Sequence, residues 1–179
     1  MNLEKLKFPT GKYILLKEPS EQQLCQWIRQ IEDFPKTLNT LTSHLSTEQK
    51  NWCYRPEGWT IKQVVHHCAD SHMNSFIRFK LALTEDTPTI KPYFENKWAE
   101  LPDAIADDIN DSILLLNGLH KKWVLLLRSL NKEQLKLEFI NPESGKKFNL
   151  AETISLYAWH SSHHLAHINN ALEAKGRYN

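Results

Sequence analysis

A chain of 179 residues, 41% hydrophobic and 24% charged, is long enough to bury a sizeable core and short enough to be read as one domain over residues 1–179. Its formal net charge of +1 supplies no long-range field to gather nucleic acid or an anionic membrane, which excludes both as first partners. The opening Met1-Asn2-Leu3-Glu4-Lys5-Leu6-Lys7 carries charge early and lacks an apolar signal core, and no later apolar run approaches a membrane span, so a soluble cytoplasmic protein is expected. Cys25, Cys53 and Cys68 are odd in number and contain no Cys-x-x-Cys pair, which argues against a disulfide framework or a thiolate zinc site. Cys25 and Cys68 read as small core residues.

Four long helices follow from periodicity and caps. The first is expected from about Ser20 to Leu45, with Ser20 and Gln23 in capping-box positions and Leu24, Trp27, Ile28, Ile31, Phe34, Leu38 and Leu41 at helical spacing. Pro35 is expected to bend or break it. The second starts after the Gly58 turn at Thr60, with Gln63 three residues on, and runs past Phe79 and Leu83. The third opens near Asp107 or Asp108 and extends to Leu130; the fourth opens at Asn149, with Glu152 three residues later, and closes at Gly176. Residues 86–107, rich in proline and aromatics, are far too long for a tight antiparallel connection. They read as a crossover that lets the second and third helices run parallel, giving an all-α four-helix bundle in up-down-down-up order. Residues 135–148 alternate and then turn at Asn141-Pro142-Glu143-Ser144-Gly145, which predicts a small β-hairpin before the fourth helix.

Nine histidines carry the chemistry. His160 with His164, and His163 with His167, are both i, i+4 pairs on the fourth helix, and the first pair lies nearer the apolar stripe of Ile154, Tyr157, Leu165, Ile168 and Leu172. His167 is then a pocket-lining or supporting candidate. On the second helix the angles do not choose between His66 and His67. Gln63, His67, Ser71, Asn74 and Arg78 form a continuous polar stripe, however, and such a stripe beside a core face suits a cavity wall, which favours His67 and makes Asn74 and Arg78 pocket candidates. Three neutral imidazoles would hold one divalent transition metal and leave a coordination position open for chemistry, unless Glu152 or Asp70 closes it. His72 reads as a hydrogen-bonded core histidine.

The segment Trp59-Thr60-Ile61-Lys62-Gln63-Val64-Val65-His66-His67-Cys68-Ala69-Asp70-Ser71-His72, with Arg78-Phe79-Lys80-Leu81 and Tyr157-Ala158-Trp159-His160-Ser161-Ser162-His163-His164-Leu165-Ala166-His167-Ile168, resembles the DinB/YfiT-like metalloenzymes, and especially their YfiT branch. That resemblance implies the same bundle topology and metal ligation by His67, His160 and His164, with zinc the expected ion and nickel an alternative. It implies a metal-dependent hydrolase that activates water on a small-molecule substrate. The wider family also implies a transferase that conjugates a low-molecular-weight thiol such as bacillithiol, and a non-enzymatic metal-binding module is the third reading. Homodimeric relatives, together with the aromatic crossover of Tyr93, Phe94 and Trp98, imply a homodimer.

Overall fold

The computed structural model describes residues 2–179. Its elements are helices α1 (Leu3–Lys7), α2 (Glu21–Thr42), α3 (Thr47–Lys50), α4 (Ile61–Thr84), α5 (Glu95–Trp98) and α6 (Asn110–Ser129), strands β1 (Glu138–Asn141) and β2 (Lys146–Asn149), and helix α7 (Leu150–Ala174). Three of the four long helices begin at the expected capping boxes: Ser20, Thr60 and Asn149 each accept from the N–H three residues on, and the Gln or Glu there reaches back to the cap. Helix α6 starts later than expected, at Asn110, whose N–H donates to the Asp108 carboxylate at 2.9 Å. Gly58 permits the turn into α4, since a Cβ there would stand 2.7 Å from Arg55 Cγ and 3.1 Å from the Arg55 carbonyl oxygen.

Pro35 does not break α2. It is buried in mid-helix beside Phe34, and the carbonyl that its missing N–H would have bonded, that of Ile31, accepts instead from His120 Nδ1 at 2.6 Å. The helix nevertheless stops at Thr42, earlier than Leu45, and Ser46 with Gln49 opens the separate short helix α3.

Side-chain pairs fix the directions of the bundle. His66 meets Ser112 and His72 meets His120, so α4 and α6 ascend together. Ser71 meets Tyr157 while the earlier His67 lies against the later His164, so α7 runs against α4. Phe34 packs on His120 while Glu21 pairs with Lys132, so α2 runs against α6. With α2 also packed along α7, the order is up-down-down-up, and the parallel pair α4 and α6 is joined by the long crossover. That crossover is tied at both ends. Ile140 N–H donates to Pro88 and Ile90 N–H to Ile140, and Lys62 pairs with Asp107 at 2.7 Å. The hairpin pairs Glu138 with Asn149 and Asn141 with Lys146, and Gly145 adopts a φ of 65° in its turn.

The core falls into two apolar clusters. One holds Phe34, Leu38, Val64, Val65, Leu116 and Ile168; the other holds Ile31, Phe79, Trp123, Leu127, Ile154 and Tyr157. Burying each such side chain contributes about 1.5–3 kcal/mol, and His72 lies where the clusters meet, against Phe34 on one side and Trp123 and Tyr157 on the other. Cys68 is buried as expected, but Cys25 is exposed. Leu24 and Trp27 on either side of it pack against the core, so Cys25 lies on the outward face of α2. In the crossover, Tyr93 and Trp98 are partly buried and pack on each other with centroids 4.5 Å apart, whereas Phe94 is 68% exposed.

Candidate metal centre

Helices α4 and α7 cross so that His67, His160 and His164 each present one ring nitrogen, all within 4.8 Å of one another. No other metal-capable side chain among the described residues joins this group. His160 and His164 stand one turn apart on α7 with ring centroids 4.4 Å apart, as i, i+4 spacing requires, and His67 approaches from α4 at 4.8 Å from His164 and 5.5 Å from His160. His66 turns the other way. Its Nδ1 lies 2.8 Å from Ser112 Oγ and its Nε2 bonds the Ala106 carbonyl at 3.1 Å, so α6 and the crossover consume both nitrogens.

Burial is the first cause that lowers the pKa of all three rings. His67 is pushed down to about 4, and His160 and His164 lie well below the usual histidine range, with the neighbouring rings adding to the effect. The imidazoles are therefore neutral at pH 7 with lone pairs available, which is what a divalent ion requires of nitrogen ligands. Their other nitrogens are spoken for on α7. His160 Nδ1 lies 3.0 Å from His72 Nε2, and His164 Nδ1 lies 3.4 Å from His167 Nδ1. His167 Nε2 donates to the Lys7 carbonyl at 3.2 Å, so its Nδ1 is left as an acceptor facing His164. Rings oriented in this way by partners behind them suit a metal centre.

Neither carboxylate considered as a fourth ligand takes part. Glu152 is committed to capping α7, where its Oε2 accepts from Asn149 N–H at 3.1 Å. Asp70 is raised to about 6, first by burial and then by Asp103, and stands outside the cluster. The opening above the histidines is a cavity of about 430 Å³. His167 lines it; Asn74 and Arg78 do not. Elsewhere on the polar stripe, Gln63 donates to the Ala99 carbonyl of the crossover at 2.8 Å, and Asn74 donates back to Asp70 within α4 at 2.9 Å.

The rest of the wall comes from aromatic and charged side chains outside the helical stripes. Tyr54 stacks on His167 with centroids 3.9 Å apart, and Trp159 stacks on His163 at 4.4 Å. The N-terminal segment lies over α7 through Trp159 Nε1 to the Gly11 carbonyl and Tyr13 hydroxyl to the Glu152 carbonyl, which brings Lys7 and Phe8 to the rim. Arg55, Glu57 and Glu95 complete a rim of mixed charge. The cluster Trp52-Cys53-Tyr54-Arg55-Pro56-Glu57-Gly58-Trp59 carries the sequence signal for this wall, because so aromatic a stretch in a turn is more than a linker requires.

The chain is similar to proteins of known sequence and, in one case, known structure. A protein of Bacillus cereus (strain 03BB102) described as a "Putative metal-dependent hydrolase" is 50% identical over 163 residues, which cover 91% of this chain and 93% of that protein. A Bacillus thuringiensis subsp. konkukian (strain 97-27) protein of the same description matches equally. The solved structure of YfiT from Bacillus subtilis, described as "a probable metal-dependent hydrolase with an unusual four-helix bundle topology", superposes with a TM-score of 0.93 at 43% identity and covers 96% of this chain and 98% of its own. The DinB superfamily model matches residues 30–168, and with these relatives it shows that the chain belongs to the DinB superfamily.

Proposed function

We propose that the chain is a metal-dependent hydrolase in which His67, His160 and His164 hold one divalent ion, with zinc the best fit to three neutral imidazoles. The observation that carries this reading is the convergence of three neutral ring nitrogens, two from buried histidines and one from the half-buried His160, within 4.8 Å at the floor of an open cavity, with no carboxylate or thiolate among the described residues completing the set. Once bound, such an ion lowers the pKa of water toward 7 and polarises a carbonyl oxygen. The chain's own contributions are orientation and exclusion of solvent. His67 reaches in from α4 against the Trp59 ring at 4.7 Å, and Trp59, Tyr54, Phe8 and Trp159 supply apolar walls. Lys7 and Arg55 face Glu57 and Glu95 around the mouth, a setting for a small polar molecule that carries charge of both signs.

The test uses untagged zinc-loaded protein with a panel of ester and amide substrates, and in parallel the electrophile monochlorobimane with and without cysteine-derived thiols including bacillithiol. Turnover of an ester or amide without any thiol, abolished both by His164→Ala and by metal removal, is the expected result. Conjugation that depends on one thiol and fails with the same two controls would overturn hydrolysis in favour of thiol transfer, because the open position would then serve to hold sulfur as thiolate.

A further inference from the structure

Behind His160 a line of hydrogen bonds crosses the bundle core and ends on a main-chain carbonyl. Ile31 accepts from His120 Nδ1 at 2.6 Å, His120 Nε2 lies 2.7 Å from His72 Nδ1, and His72 Nε2 lies 3.0 Å from His160 Nδ1. Three helices contribute: α2 the carbonyl, α6 His120 and α4 His72, with α7 carrying His160. His72 is fully buried, His120 is 2% exposed, and Phe34 and Trp123 pack against both rings.

The polarity of this line follows from its end. A carbonyl oxygen can only accept, so His120 Nδ1 carries a proton. A neutral imidazole has one N–H, which makes His120 Nε2 the acceptor and His72 Nδ1 the donor. His72 Nε2 then accepts from His160 Nδ1–H, and His160 is left with its lone pair on Nε2, on the side of Ser71 Oγ at 3.4 Å. Running the line the other way would give His120 a proton on both nitrogens. That would place a cation in the core where its two ring nitrogens bond only Ile31 and His72 and no carboxylate answers it. The sequence builds in the starting point: in an uninterrupted helix the Ile31 carbonyl would accept from residue 35, and proline has no N–H to give.

We infer that Pro35, His120 and His72 form a positioning relay that keeps the proton of His160 on Nδ1 and so presents Nε2 to the metal position. His72 and His120 touch neither substrate nor metal; they act through His160. The inference rests on the reading of His160 as a metal ligand, and its test separates the two. In metal-free protein labelled with ¹⁵N, long-range ¹H–¹⁵N correlation at about pH 7.5, above the ordinary histidine range, should show the proton on Nδ1 in His120, His72 and His160 alike. A proton on Nε2 of His72 or His160 would overturn the relay, whether or not the protein binds zinc. Zinc affinity, measured by chelator competition, should fall roughly 10- to 100-fold in His72→Leu, the range seen when such outer partners are removed. In His120→Leu the His160 signals should shift toward a mixture of tautomers, an effect that loss of packing alone would not produce. Unchanged zinc affinity in a folded His72→Leu protein would also sink the proposal, and if that variant does not fold, the wild-type spectrum decides. Wild-type protein that shows the three Nδ1 protons yet binds no zinc would leave the relay standing and remove the metal reading.

Discussion

Replacing His67 with alanine is expected to abolish tight metal binding, whereas His66→Ala, one residue earlier, should keep it. The first change removes one of three converging nitrogens and leaves two imidazoles on α7, so the loss should exceed the roughly 10- to 100-fold that supporting residues cost. His160→Ala and His164→Ala should match it. His66 has both nitrogens engaged by Ser112 and Ala106 on the far side of α4, so its removal should appear as stability, about 1 kcal/mol because these half-buried partners can turn to water, with one metal per chain retained. Elemental analysis of untagged protein reads the first quantity and urea unfolding the second. Retention of the ion by His67→Ala together with its loss from His66→Ala would place the site on the opposite face of α4.

What the amino-acid order made legible was mostly local. The capping boxes at Ser20, Thr60 and Asn149, the hairpin turn before Gly145 and the i, i+4 pair of His160 and His164 each depend on residues within one turn of each other, and all appear in the structure. Periodicity could not separate His66 from His67, because what holds His66 aside is Ser112, 46 residues away on α6. The same limit explains Asn74 and Arg78. Helical spacing identifies a face of α4 but not how far along it the cavity extends, and Asn74 and Arg78 lie beyond its lining. Short helices such as α1 and α3 offer too few residues for a period to show. The sequence around Pro35 carries only its local cost to the helix, while its consequence is an interaction between Ile31 and His120 that spans 89 residues.

Metal-free protein is expected to lose stability steeply as pH falls below about 6.5. His67 and His120 are held near pKa 4 and His167 near 3, with His72 and His164 well below the usual range, and burial is the first cause in each. In the unfolded chain these rings return to about 6.5. Between the two values the unfolded state binds protons that the native state refuses, so the stability these neutral rings contribute is full above pH 6.5 and drains away as pH drops toward 4. Each ring adds a slope of about 1.4 kcal/mol per pH unit, and five together add about 7, against a total stability of only about 5–15 kcal/mol for a domain of this kind. Urea unfolding at a series of pH values should therefore show the midpoint collapsing before pH 4 is reached. Zinc should move that collapse to lower pH, because it binds the same neutral nitrogens in the native state and stabilises that state by mass action. A urea midpoint that is flat from pH 7 to pH 4 in metal-free protein would mean that the buried rings accept protons in the folded state, and it would remove the physical basis for a site built on neutral imidazoles.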